Sequence, residues 1–188
     1  MNNVERMAKT ESRIQLKQGD EAPDFSLPGI DGRTHLLEEF KRKRGFLVVF
    51  MCNHCPYVKA RMTEIVALHK EFGEKVAVVG VNSSDPDYPG EGMENMKAFA
   101  KERDIAFPYL LDESGATAKA YGATCTPDPF LFDADTKLVF HGRISDALEP
   151  SDMPTEFTMK ENIKKLLANE AIEPWFNPSL GCSIKFKK

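Results

Sequence analysis

Long apolar runs are missing from this chain: no stretch approaches the roughly 18 consecutive apolar residues that a helix needs to cross a bilayer, so no membrane partner is expected. The opening MNNVERMAKTESRIQLKQGD is polar throughout and lacks the apolar centre of a secretory signal. A surplus of positive charge is missing too. Lys and Arg number 25 against 29 Asp and Glu, a formal net charge of −4, with no run of five like charges. Nucleic acids and anionic membranes both want a basic face, so nucleic acid is not expected as a partner either. Cysteine occurs only 4 times in 188 residues, too few for a disulfide scaffold. With no leader in view the expected compartment is the cytoplasm, where thiols are kept reduced. The spacing of the cysteines then has to carry the chemistry.

What is present fits one domain with a substantial core, since 41% of the residues are apolar. Residues 1–18 read as a flexible arm, and a single domain is expected over 19–188, with a non-helical tail at 173–188 that holds Pro174, Pro178, Gly181 and Cys182. Asp31-Gly32 between short apolar runs marks an N-terminal hairpin. Phe46-Leu47-Val48-Val49-Phe50 and Val76-Ala77-Val78-Val79-Gly80-Val81 are continuous apolar runs, as strands covered on both faces would be. Between them Val58, Met62, Ile65, Val66 and Phe72 recur at helical spacing, which makes a right-handed βαβ unit. Residues 83–92, with two prolines and three acids, read as a surface loop. Further helices are expected around Met93, Met96 and Phe99, over 116–121, and around Met159, Ile163 and Leu166, with a hairpin turning at Asp133-Ala134-Asp135-Thr136. The order predicts an α/β, thioredoxin-like fold: a central mixed β-sheet flanked by helices, an N-terminal hairpin and a C-terminal tail extension.

Cys52-Asn53-His54-Cys55 falls where the first buried strand gives way to a helix. A C-x-x-C inside a βαβ pattern is a redox signal. The unpaired N–H groups and positive dipole end of the helix favour a thiolate, and the spacing lets the second sulfur reach back to resolve a mixed disulfide. A protonated His54 would add to thiolate stabilisation and make the disulfide more oxidising. Two other readings stand beside this one. The pair could be half of a structural zinc site, although Cys125 and Cys182 stand singly, or it could be inert buried thiols. No carboxylate lies in 46–50 to take a proton; His54 is the nearest candidate and Glu64 a poorer one. His35, His69 and His141 are dispersed and read as surface or core residues, not as ligands.

Ala22-Pro23-Asp24-Phe25, Cys52-Asn53-His54-Cys55-Pro56-Tyr57-Val58, Thr126-Pro127-Asp128-Pro129-Phe130 and Pro178-Ser179-Leu180-Gly181-Cys182 together resemble the redoxin superfamily. More narrowly they are similar to the peroxiredoxin-like branch of the alkyl hydroperoxide reductase/thiol-specific antioxidant family that carries a thioredoxin-type C-x-x-C. The resemblance implies an antioxidant or redox role and a cis-proline at Pro127, which presents the preceding backbone to a substrate strand and blocks metal capture. It also supplies a test. Peroxiredoxins carry P-x-x-x-T-x-x-C and a later arginine. Aligned on Cys55, that pattern puts Val48 at the proline and Cys52 at the threonine, and residues 125–128 hold no arginine.

The expected function is therefore thiol-disulfide oxidoreductase. Cys52 is the attacking thiolate, more exposed and more acidic than its resolving partner Cys55, and Pro127 presents the substrate. His54, Cys125 and Cys182 are auxiliary candidates, Cys125 more as a small buried hydrophobe, and Cys182, in a tail too polar to be core, either as a resolving or regulatory thiol if the tail folds back or, at least equally, as an uninvolved thiol in a docked tail. Partners are protein or small-molecule disulfides and an unidentified thiol reductant. No organic cofactor and no metal are expected, because two sulfurs carry both electrons. The alternatives are a thiol peroxidase on Cys55, taking hydroperoxides with Arg61 or Arg143 supplying charge, and a redox-silent binding or metal-delivery module.

Overall fold

The computed structural model describes residues 9–188. A first strand, β1 (Lys9–Glu11), is followed by the antiparallel hairpin of β2 (Ser26–Pro28) and β3 (Thr34–Leu36) and by a short helix, α1 (Leu37–Phe40). The hairpin turns at Asp31-Gly32 as its sequence requires, with Gly32 in the left-handed region at φ +79°. The unit of β4 (Gly45–Phe50), α2 (Pro56–Phe72) and β5 (Val76–Asn82) has its two strands parallel. Then come α3 (Met93–Glu102), β6 (Tyr109–Leu111), α4 (Ala116–Tyr121), β7 (Cys125–Thr126), β8 (Asp128–Asp133), β9 (Leu138–Gly142), α5 (Thr158–Ala168), β10 (Phe176–Asn177) and β11 (Leu180–Ser183).

Six of the strands form a mixed sheet in the order β10-β9-β8-β4-β5-β6, with β4, β5 and β6 parallel and β8 antiparallel to β4. β4 lies in its middle and is buried throughout. Alternation along that strand splits the core in two. Leu47 and Val49 pack with Val58, Met62 and Ile65 of α2 and Met159 and Ile163 of α5. Phe46, Val48 and Phe50 pack on the other face with Phe25, Leu37 and Phe40 and with Ala118 and Tyr121 of α4. Each such side chain contributes about 2 kcal/mol through its removal from water. Two-sided coverage is why β4 reads as an unbroken apolar run.

The same pairing sets up one end of the sheet. β8 runs antiparallel to β4 with Phe50 opposite Asp128, so Thr126 and Pro127 come alongside the residues that follow β4. β5 ends at Asn82 beside them, which delivers residues 83–92 to the same edge. Crevices at the carboxyl ends of parallel strands are where α/β proteins place their sites.

The structure corrects several sequence expectations. Residues 9–18, read as part of a flexible arm, are tied to the domain: β1 pairs antiparallel with β11, the Ser12 N–H donates to Ser179 O at 3.0 Å, Gln15 Nε2 donates to Lys119 O at 3.0 Å and Leu16 packs on the core; the rest of the arm expectation, over 1–8, lies outside the described residues. The tail is no polar appendage. β10 extends the main sheet parallel to β9, and β11 is the middle strand of a second sheet, β1-β11-β7. Cys182, expected outside the core, is 1% exposed. The 83–92 loop, read as surface, buries Ser83, Ser84 and Glu91. α1, β6 and β7 carry no period of their own and come from tertiary pairing.

Candidate active site

β4 stops at Phe50 and α2 begins at Pro56, a proline at the first helical position, where its missing N–H costs nothing. This places the N-cap on Cys55, not on Cys52. The N-cap position is where an anion gains most from the orphan N–H groups and the dipole. Cys52 lies one short loop earlier, with its Sγ 3.3 Å from Thr126 Oγ1. Cys55 Sγ is 3.2 Å from Thr126 O. Both sulfurs therefore converge on the residue before Pro127, and the Thr126–Pro127 bond is cis, as the resemblance implied.

The two thiols are driven apart. The Cys55 thiol is held far below its ordinary range by hydrogen bonds from Cys182 and then from Cys52, against the cost of burial, with the backbone N–H of Val58 adding to the pull. The Thr126 side chain pulls in the same direction, more weakly. Cys52 goes the other way, raised first by burial, then by Cys55 and by the carboxylate of Glu91. The expectation that Cys52 is the more exposed sulfur is not met, since both are buried, and the surroundings lower the Cys55 thiol while raising that of Cys52, the reverse of the expected order. The first reasons are the Cys182 thiol beside Cys55 and the burial of Cys52, and helix register works the same way, since the helix starts three residues later than a helix capped by Cys52 would.

Glu91 is the residue that sequence reasoning missed. It is 2% exposed and comes from the loop before α3. Its Oε1 accepts from the Asn53 N–H at 2.9 Å, the His54 N–H at 3.0 Å and His54 Nδ1 at 2.5 Å, and its Oε2 accepts from Asn82 Nδ2 at 2.6 Å. Tyr109 OH donates to Asn53 Oδ1 at 2.9 Å, and Asn53 Nδ2 to Gly90 O at 3.0 Å, which ties the turn to β6 and to the loop. A buried carboxylate needs such a set of donors. Its local signal is the glycine on each side: Gly90 and Gly92 take φ +86° and +85°, a kinked backbone that turns one side chain inward.

His54 pairs with Glu91 and lies against the Tyr88 ring, centroids 4.6 Å apart, while its buried Nε2 has no hydrogen-bond partner among the described residues. Glu64, the poorer proton candidate, is bound to Arg61 at 2.9 Å and is not brought to the sulfurs. Asp128 does reach the end of β4, but its partner is His141 at 2.7 Å, both side chains fully buried. Cys125 is buried beside this pair, its thiol pushed up by burial and then by Asp128, and donates to Pro127 O at 3.7 Å. Cys182 is brought in by β11, which pairs with β7 so that Cys182 lies opposite Thr126. Its thiol hydrogen-bonds to the Cys55 sulfur.

Cys52, His54 and Glu91 each offer one ligand atom, all within 4.8 Å of one another, a mixed S, N and O set that suits a borderline cation such as zinc. Glu91 Oε1 is already taken by three N–H groups, so a cation there would compete with the bonds that shape the turn.

Residues 18–141 match the sequence profile of the AhpC/TSA family. The chain is 30% identical over 124 residues to the thioredoxin-like protein YneN of Bacillus subtilis, covering 66% of this chain and 70% of that one. It is also 30% identical over 127 residues to the thiol-disulfide oxidoreductase ResA of Bacillus thuringiensis, covering 66% of this chain and 69% of the relative. Among solved structures, a conserved protein of Geobacillus kaustophilus superposes with a TM-score of 0.91 at 38% identity, covering 96% of this chain and 97% of its own. The mixed sheet with its flanking helices is the thioredoxin-like fold. The chain belongs to the AhpC/TSA family.

Proposed function

We propose that this thiol-disulfide oxidoreductase works through Cys52 and Cys55, with Cys55 as the attacking thiolate. The observation that carries the reading is the convergence of both sulfurs on Thr126, at 3.3 and 3.2 Å, with Cys55 at the helix N-cap. The Cys55 thiolate attacks one sulfur of a protein or small-molecule disulfide and expels the other as a thiolate. Cys52 then gives up its proton and attacks Cys55 Sγ, which releases the reduced substrate and leaves the Cys52–Cys55 disulfide. An external thiol reductant restores the dithiol. Glu91 fixes the turn backbone, and its charge keeps Cys52 protonated until the second step.

A peroxidase on Cys55 would need a cation to polarise the O–O bond. The two arginines named as candidates are committed elsewhere: Arg61 to Glu64 and to Asp152 O at 3.0 Å, Arg143 to Thr158 Oγ1 at 3.3 Å. The dithiol reading is therefore preferred. No helix among the described residues is long and apolar enough to cross a membrane. We place the work of this protein in a reducing compartment, the cytoplasm, because the four thiols gather at one end of the sheet without being needed as a scaffold. A fluorescent fusion imaged in cells checks that placement.

The central test is disulfide mapping and turnover. Oxidised glutathione should produce a disulfide involving Cys55, and turnover of a small disulfide substrate should be lost in both Cys52→Ser and Cys55→Ser. A redox-silent module would leave both cysteines reduced. Hydrogen peroxide consumption far above the rate of an ordinary low-pKa thiol would favour the peroxidase instead.

A further inference from the structure

The edge of β7 that faces the sulfurs is already occupied. Unpaired strand edges accept extended peptides, and here the chain's own β11 has taken the place that an incoming strand would use. The fit is close: a Cβ built on Gly181 would lie 2.0 Å from Thr126 O, so only glycine lets β11 lie flush against the residue before Pro127. The next residue is Cys182, opposite Thr126 and buried with Cys52 and Cys55 in the same core cluster. β1 holds the outer edge of β11, with Lys9 opposite Cys182. A cysteine is thus presented to Cys55 in the way a substrate strand would present its own. The family match ends at residue 141 and does not reach this strand.

We propose that Cys182 is a third redox thiol and β11 an internal stand-in for a substrate strand, with Cys55 exchanging its disulfide between Cys52 and Cys182. This rests on the dithiol reading above and adds a regulated state to it. Starting from the Cys52–Cys55 disulfide, Cys182 gives up its proton and attacks Cys55 Sγ. The Cys55–Cys182 bond forms, the Cys52–Cys55 bond breaks, and Cys52 leaves with the electron pair and takes up a proton. No electrons are gained or lost overall, so no further reactant is needed. The result is a form in which β11 is fastened over the site and Cys52 is free. Reduction of that bond lets the strand lift and opens the β7 edge to a substrate.

The test uses the full chain with Cys52→Ser and oxidised glutathione as the probe. Cys55 attacks glutathione disulfide, Cys182 displaces the mixed-disulfide glutathione, and one oxidised glutathione yields two reduced. Peptide mapping should find Cys55 linked to Cys182, with two thiols lost per chain. Adding Gly181→Ala should lower the yield of that bond about tenfold, as overpacking a close backbone contact by one methyl group costs. It should leave the Cys52–Cys55 bond intact in a chain with all four cysteines. The proposal is overturned if Cys52→Ser leaves Cys182 reduced or only glutathionylated while the unaltered chain forms Cys52–Cys55; in that case the dithiol reading stands alone. If Cys55–Cys182 forms in the variant but Cys52–Cys55 never forms in the unaltered chain, the dithiol reading fails and the third thiol remains.

Discussion

On one side of the cysteine turn, Glu91 sets a buried carboxylate against Cys52 and binds the backbone of Asn53 and His54; on the other, β11 lays Cys182 against Cys55 and brings no charge. The acidic wall discourages a second anion beside it, while the wall of N–H and S–H donors stabilises one. Two cysteines in one motif, three residues apart, are thereby made chemically unlike by residues far away in the chain. Helix register works in the same direction, since the N-cap falls on Cys55. The lesson is that a C-x-x-C announces a pair of sulfurs, and its surroundings choose which of them holds the charge.

The largest effect expected on this contrast comes from removing the acidic wall. Glu91→Ala leaves the N–H groups of Asn53 and His54 and the Asn82 amide buried without their acceptor, and should cost about 3–5 kcal/mol of stability. A guanidinium midpoint unchanged from the parent chain would show that water or a neighbour replaces the carboxylate at no cost.

Glu91→Gln should act more gently and sharpen the comparison. It keeps the shape while removing the charge, so the Cys52 thiol should move down toward its ordinary range. Alkylation of Cys55→Ser, with and without this change, reads the shift. In the parent chain the sign is set by Cys55: ionised well below neutral pH, it should alkylate at a rate nearly flat from pH 6 to pH 9, once corrected for opening of β11. A rate rising tenfold per unit over that range would return the thiolate to Cys52.

The smallest effect is expected at a site away from both walls. Tyr121 packs against Phe50, Phe130 and Phe132 on the opposite face of the sheet, and its buried hydroxyl has no hydrogen-bond partner among the described residues. Tyr121→Phe should change stability by less than about 1 kcal/mol, neutral or favourable, because no bond is lost. A larger loss in thermal melting would reveal a bonded water beneath α4.

Much of the scaffold was legible because it is written in local pattern. Continuous apolar runs marked β4 and β5, helical spacing marked α2 and α5, and Asp31-Gly32 marked the first hairpin. The short elements were not legible: β7 has two residues and β6 three, and such segments are strands only because a neighbour supplies their hydrogen bonds. β1 and β11 belong to the same class, so an arm and a tail that look polar and irregular become a sheet once they meet.

What the sequence determined by itself is the βαβ frame and the presence of two thiols at its strand-to-helix junction, since both depend on residues close together in the chain. What only the tertiary structure decided is which sulfur is the thiolate and what surrounds it. Glu91 acts across 37 positions to His54, Thr126 across 71 to Cys55, and Cys182 reaches the site through strand pairing with β7. Electrostatics and hydrogen bonding depend on distance in space, and one strand register is enough to bring such residues together or keep them apart.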